Sequence, residues 1–137
     1  MRAVVIAAPR GDERLELSVD DGGSRSDYDL HWTARLETGS LSATHGFYSG
    51  VAPKQLVAYF DALAADWRGW DGRREFAAIE HDFELAAWHD GRGHVELWVT
   101  LGTEMDSADR NWLVRDAIRL EAGGLDAVAR AVRPFAD

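Results

Sequence analysis

Three acids spaced by two, Glu80, Asp82 and Glu84, form the most chemically suggestive run in the 137-residue chain. On a β-strand such residues stand in a row on one face, successive members about 7 Å apart. That is too wide for two carboxylates to hold one cation without help from a neighbouring strand. It also exceeds the ~5 Å of a retaining glycosidase pair, while falling within the range of an inverting pair. An inverting pair would need a cleft, and nothing in the sequence announces one. The row therefore reads as the outer face of a sheet, either solvated or met by a partner. Trp88 and Trp98 fall by alternation on the same face, one on each arm of a hairpin, with His94 and Glu96 beside them. Large aromatics on a polar face are covered by another element, here the C-terminal helix, or exposed for binding. The candidate partner-binding residues are thus Glu80, Asp82, Glu84, Trp88, His94, Glu96 and Trp98.

The histidines offer weaker chemistry. His89 and His94 flank a tight turn beside Asp90, the start of a metal site, but zinc needs three or four converging ligands. Exposed turn residues are the plainer reading. His31 falls on a polar face. His81 falls on the apolar face of its strand, where a hydrogen-bonded core histidine is expected. A competing reading makes His45 or His81, with Asp116, the buried polar groups of an enzyme or small-ligand site between sheet and helix. Neither a phosphate-binding GxxxxGK[ST] loop nor GxGxxG occurs, and GxSxG and HExxH are also absent. No catalytic, cofactor-binding or metal-ligating residue is assigned, and no cofactor is expected.

The elements that must position these residues follow from hydrophobic period. Ala3 to Ala8 reads as a first strand, its six-residue apolar run being too short for a signal peptide. Glu13 to Val19 alternates with Leu15, Leu17 and Val19 on one face, and Tyr28 to Leu36 alternates more cleanly still. Leu41 to Tyr48 reads as the returning arm of a hairpin. The period then changes. Pro53 suits a first helical turn, and Leu56, Phe60, Leu63 and Trp67 form one stripe ending near Gly69 or Gly72. Trp67 and Trp70 are expected to anchor that helix end to the sheet. Ile79 to Trp88 reads as a strand with Ile79, His81, Phe83, Leu85 and Ala87 on one face. It returns through His89-Asp90-Gly91-Arg92-Gly93 into Val95, Leu97, Val99 and Leu101. The last strand, near Trp112 to Glu121, has Asp116 in line with apolar neighbours, which a bulge or a sheet edge would explain. Leu125, Val128, Ala129 and Val132 mark a short C-terminal helix. The expectation is one α+β domain over 1–137: an antiparallel sheet of about six to seven strands, one long helix after the fourth strand and a short C-terminal helix.

Composition narrows the function. The formal net charge is -9 and there is no cysteine, so disulfides and thiol chemistry are excluded. Such acidity argues against nucleic acid as a partner, since that affinity leans on Lys and Arg. No apolar run approaches the ~20 residues of a transmembrane helix, so no membrane partner is expected. One lysine against fourteen arginines, with abundant alanine, suggests bacterial coding bias and a cytoplasmic protein. The acid is also unevenly placed. Residues 12–29 hold seven acids and two bases, and 60–90 hold eight acids and three bases, each a net of -5. Residues 110–137, with five bases and four acids, are at +1.

The segments Leu63-Ala64-Ala65-Asp66-Trp67-Arg68-Gly69-Trp70 and His89-Asp90-Gly91-Arg92-Gly93-His94-Val95 resemble a bacterial domain-of-unknown-function family (number 6228). Leu120-Glu121-Ala122-Gly123-Gly124-Leu125 fits it as well, so the resemblance covers most of the chain after Leu41. It implies no known activity and carries over no functional residue. The element order also resembles that of WapI-type toxin immunity proteins, which are small, acidic, non-enzymatic α+β proteins that neutralise a toxin by binding it. That resemblance implies a basic toxin domain as partner, met by an acidic face with fast electrostatic association. The leading expectation is therefore a non-enzymatic acidic protein-binding domain, with an immunity protein as its specific form. A small-ligand binder or enzyme, and a structural homodimer using an edge strand or the Trp face, are the alternatives.

Overall fold

The computed structural model describes residues 2–20, 30–48, 53–78, 81–102 and 112–136. Four strands open the chain: β1 (Arg2–Ala7), β2 (Arg14–Asp20), β3 (His31–Glu37) and β4 (Ser42–Tyr48). They pair in chain order as an antiparallel meander. Alternation places Val4, Ile6, Leu15, Leu17, Val19, Trp32, Ala34, Leu36 and Phe47 on its buried face. Helix α1 (Pro53–Ala65) follows and buries Pro53, Leu56, Val57, Phe60 and Leu63. Proline at the first helical position costs no hydrogen bond, because that amide has no intrahelical partner.

A second four-stranded antiparallel meander comes next: β5 (Arg73–Ala77), β6 (Phe83–His89), β7 (His94–Gly102) and β8 (Leu113–Glu121). Its buried face carries Phe83, Leu85, Ala87, Val95, Leu97, Val99, Leu101, Ile118 and Leu120. Helix α2 (Leu125–Val132) buries Leu125, Ala129 and Val132, and a 3₁₀ turn, Arg133–Ala136, adds Phe135. Both pack against α1 and β1. The inner faces share one hydrophobic core. Phe47 of β4 stacks on Phe83 of β6 with centroids 5.4 Å apart, and Phe135 meets Trp32 edge-on at 5.9 Å.

The expected single sheet of six to seven strands is therefore incorrect: among the described residues there are two antiparallel sheets of four strands each. Two physical reasons account for the difference. Short hairpin connections fix which strands pair, but α1 separates β4 from β5, and alternation does not say whether strands on either side of a helix share a sheet. The eighth strand, β5, has the sequence RREFA, in which only Phe76 is a large apolar residue, so it shows no alternation. The strand expected from Ile79 onward begins at Phe83. Residues 79 and 80 lie outside the described residues, and His81 has φ of 56°, in the left-handed region. His81 is exposed there rather than on the apolar face. The helix also stops before Trp67, which is 45% exposed and is not part of the buried stripe.

Candidate functional site

The outer face of the second sheet is built by alternation. With Phe83, Leu85 and Ala87 turned into the core, Glu84, Ala86 and Trp88 must point outward from β6. On β7 the same logic turns out His94, Glu96, Trp98 and Thr100, and on β8 Leu113, Arg115, Ala117, Arg119 and Glu121. Register then assembles the face: Trp88 sits opposite Glu96, Ala86 opposite Trp98, and Glu84 opposite Thr100. Across the next ladder Glu96 faces Arg119, Trp98 faces Ala117 and Thr100 faces Arg115. Small residues at Ala86 and Ala117 flank the Trp98 indole, and the Arg115 guanidinium lies 5.5 Å from its ring centroid. Trp88 is 42% exposed. The C-terminal helix packs on α1 and β1 and leaves this face to solvent.

A groove of about 390 Å³ runs over this face, lined by Trp88, His89, Asp90, His94, Glu96, Trp98 and Arg119. Four of the expected binding residues, Trp88, His94, Glu96 and Trp98, thus come together. The other three do not join them there. Glu84 lies at the far end, beside a second groove of about 420 Å³ that Arg73, His81, Thr100 and Arg115 also line. Glu84 accepts a hydrogen bond from His81 Nδ1 at 2.9 Å. Glu80 lies outside the described residues. Asp82 is not on the outer face at all. It precedes β6, is buried, and its Oδ2 lies 3.2 Å from His45 Nε2. The expected row of three acids fails because alternation holds only inside a strand, and β6 starts one residue after Asp82.

Charge on this face is mixed. Glu75, Glu84, Glu96 and Glu121 share it with Arg73, Arg115 and Arg119, and Arg73 pairs with Glu75. Arg115 and Arg119 belong to this face by the alternation of β8, a signal that the sequence carries apart from the acidic row. At the β6–β7 turn, Asp90 Oδ1 accepts from the backbone amides of Arg92 (2.6 Å) and His94 (3.1 Å). The Arg92 amide is the main cause holding the Asp90 carboxyl below the usual carboxylate range, with the His94 amide and ring adding to it. His94 Nδ1 lies 3.2 Å from Asp90 Oδ2 and its Nε2 lies 3.7 Å from Glu121.

His89 is committed elsewhere. Its Nε2 donates to the Trp67 carbonyl at 2.8 Å, and its Nδ1 accepts from the Gly91 amide at 2.8 Å. Both ring nitrogens are thereby used, so His89 has no lone pair left for a metal. Among the described residues no group of three or more His, Asp or Glu side chains could hold a metal ion. The Trp70 indole meets His89 edge-on at 5.2 Å and donates to the Ala87 carbonyl at 3.1 Å. Trp70 thus ties the end of α1 to the second sheet as expected, whereas Trp67 contributes its carbonyl and leaves its ring exposed beneath Arg68. Trp67-Arg68-Gly69-Trp70 and His89-Asp90-Gly91, far apart in sequence, meet at one corner.

The competing arrangement of His45 or His81 with Asp116 does not form a hydrogen-bonded set. His45 pairs with Asp82, His81 with Glu84, and Asp116 Oδ1 accepts from the Ala117 amide at 2.8 Å. Among the described residues no helix is long and apolar enough to cross a membrane.

A family model described as a family of unknown function (DUF6228) matches residues 8–137. No curated protein and no solved structure matches.

Proposed function

The chain belongs to this family of unknown function, and from the geometry of the site we propose that it is a non-enzymatic protein-binding domain contacting its partner through the outer face of the second sheet. The carrying observation is the exposed Trp88, 42% accessible, beside Trp98 and a groove on an uncovered sheet face. Tryptophan and arginine dominate the energetic centres of protein interfaces because each buries a large area and still offers a polar handle. His94 and Glu96 supply the polar surround.

The specific form of the proposal is an immunity protein that neutralises a basic toxin domain in the bacterial cytoplasm. Two scales of electrostatics support it. The net charge of -9 steers a basic partner from a distance, while the mixed charge of the face fixes register at contact. The test is calorimetric titration of the purified chain with the product of a toxin gene adjacent to its own. Trp88→Ala and Trp98→Ala are each expected to weaken binding by at least about 2 kcal/mol, roughly thirtyfold. Rising salt should slow association. No binding, or equal affinity for the wild type and both tryptophan variants, overturns the reading.

A further inference from the structure

β8 is the outermost strand of its sheet: β7 pairs with one edge, and among the described residues no strand pairs with the other. It is nine residues long and runs in unbroken register with β7, from Glu121 opposite His94 to Leu113 opposite Gly102. Leu113, Val114, Ala117, Ile118 and Leu120 give it the composition of a strand that would readily add another. A long, regular edge strand is a template for pairing with a second copy of the same chain.

Two features of β8 oppose that. Asp116 occupies an inward position, in line with Val114, Ile118 and Leu120, where an apolar residue would otherwise complete the pattern. Its Oδ1 accepts the hydrogen of the next backbone amide, Ala117, at 2.8 Å. An amide engaged by a neighbouring carboxylate is not available to an incoming strand. Further, antiparallel pairing of β8 with itself over its whole length would centre on Ala117 and set Arg115 of each copy opposite Arg119 of the other. Like charges directly opposite across a ladder are destabilising. Neither arginine has an ion-pair partner among the described residues to relieve this.

We propose that Asp116, with Arg115 and Arg119, guards the β8 edge and keeps it from pairing with β8 of a second copy of the chain. An inward charge on an edge strand and a clasp on one of its amides act at the same place. The interruption in the hydrophobic pattern is then the device itself, and it leaves the outer face free for a different protein.

Sedimentation velocity over a wide concentration range tests this. The wild-type chain is expected to sediment as a monomer throughout, and Asp116→Asn, which keeps an acceptor for the Ala117 amide, likewise. Asp116→Val combined with Arg115→Glu, which also turns the repulsive contact into an attractive one, is expected to double the apparent mass with rising concentration. Adding Ala117→Pro, which removes the central edge donor, should return that variant to monomer. Should Asp116→Val misfold, Asp116→Ala combined with Arg115→Glu, which also frees the Ala117 amide and removes the like-charge contact, must still produce a dimer. A wild-type dimer that Ala117→Pro disperses overturns the proposal. So does a folded variant pair that stays monomeric, or a dimer that survives Ala117→Pro.

Discussion

His45 and Asp82 meet between the two sheets, their side chains only 17% and 10% exposed, with Nε2 and Oδ2 3.2 Å apart. Phe47 stacks on the His45 ring and Trp112 meets it edge-on. A carboxylate held among aromatic rings depends on its one hydrogen-bonding side-chain partner, because burial without a partner is expensive. Among the described residues, Asp82 Oδ1 already lacks one. Replacing His45 by Ala should therefore destabilise the fold by about 3 kcal/mol, measured as a fall in urea midpoint at neutral pH. Replacing both residues with apolar side chains should cost less than His45→Ala alone. Tyr59 gives a second prediction at this scale. Burial, and then the nearby Glu75 charge, push its phenol well above the usual tyrosine range. Its hydroxyl donates to the Arg74 carbonyl at 2.8 Å. A raised phenol contributes stability that is complete below its ordinary value, about pH 10, and is lost as pH rises beyond it. Tyr59→Phe should lose about 1 kcal/mol near neutrality yet show a shallower alkaline decline; urea titrations at about pH 8 and about pH 11 compare the two. Neither contact was legible in the sequence. Both join residues on different elements, and a single chain states the residue types but not which elements face one another.

Within elements, legibility followed period. β2, β3, β6, β7 and β8 alternate over most of their lengths because each sheet buries one face and wets the other. α1 and α2 carry stripes because each buries one side. β5 has no such signature. It holds its place as an edge strand with Phe76 half-buried against Tyr59 and Phe83, and its neighbours Arg74 and Arg73 are spent on Asp66 and Glu75. The β6–β7 turn was readable from its glycines, since Gly91 and Gly93 have φ of 74° and 90°, where a side chain is strained. Its electrostatics were not. Because the fold holds the Asp90 carboxyl below its ordinary range, chiefly through the Arg92 amide, ionised Asp90 favours the folded chain. That contribution is present above the ordinary carboxylate range and disappears as pH falls through the lowered value. Asp90→Ala should consequently be less stable than wild type at pH 7, and the difference should shrink in acid. Paired urea titrations at about pH 7 and about pH 3 check this; a difference independent of pH would mean that the carboxylate is not the stabilising group.

Across the whole molecule, the two sheets are separate ladders but not separate cores. Phe47 reaches from β4 to Phe83, Trp32 from β3 to Phe135, and α1 lies against α2, so apolar contact is continuous from the first strand to the last turn. Neither sheet alone would keep its inner face from water, because each presents a row of fully buried Leu, Val or Ile to the other elements. The physical consequence is cooperativity: exposing one inner face strips contacts from both. Urea unfolding followed by tryptophan fluorescence, whose six indoles are spread over both sheets and the loops between them, should coincide with unfolding followed by far-ultraviolet circular dichroism. Phe47→Ala probes the seam directly. Truncating a buried aromatic there should cost about 3 kcal/mol and lower both midpoints together, because the lost contact belongs to both sheets at once. Two resolved transitions in this variant would instead show that each sheet keeps its own core and that the seam is only a surface between them.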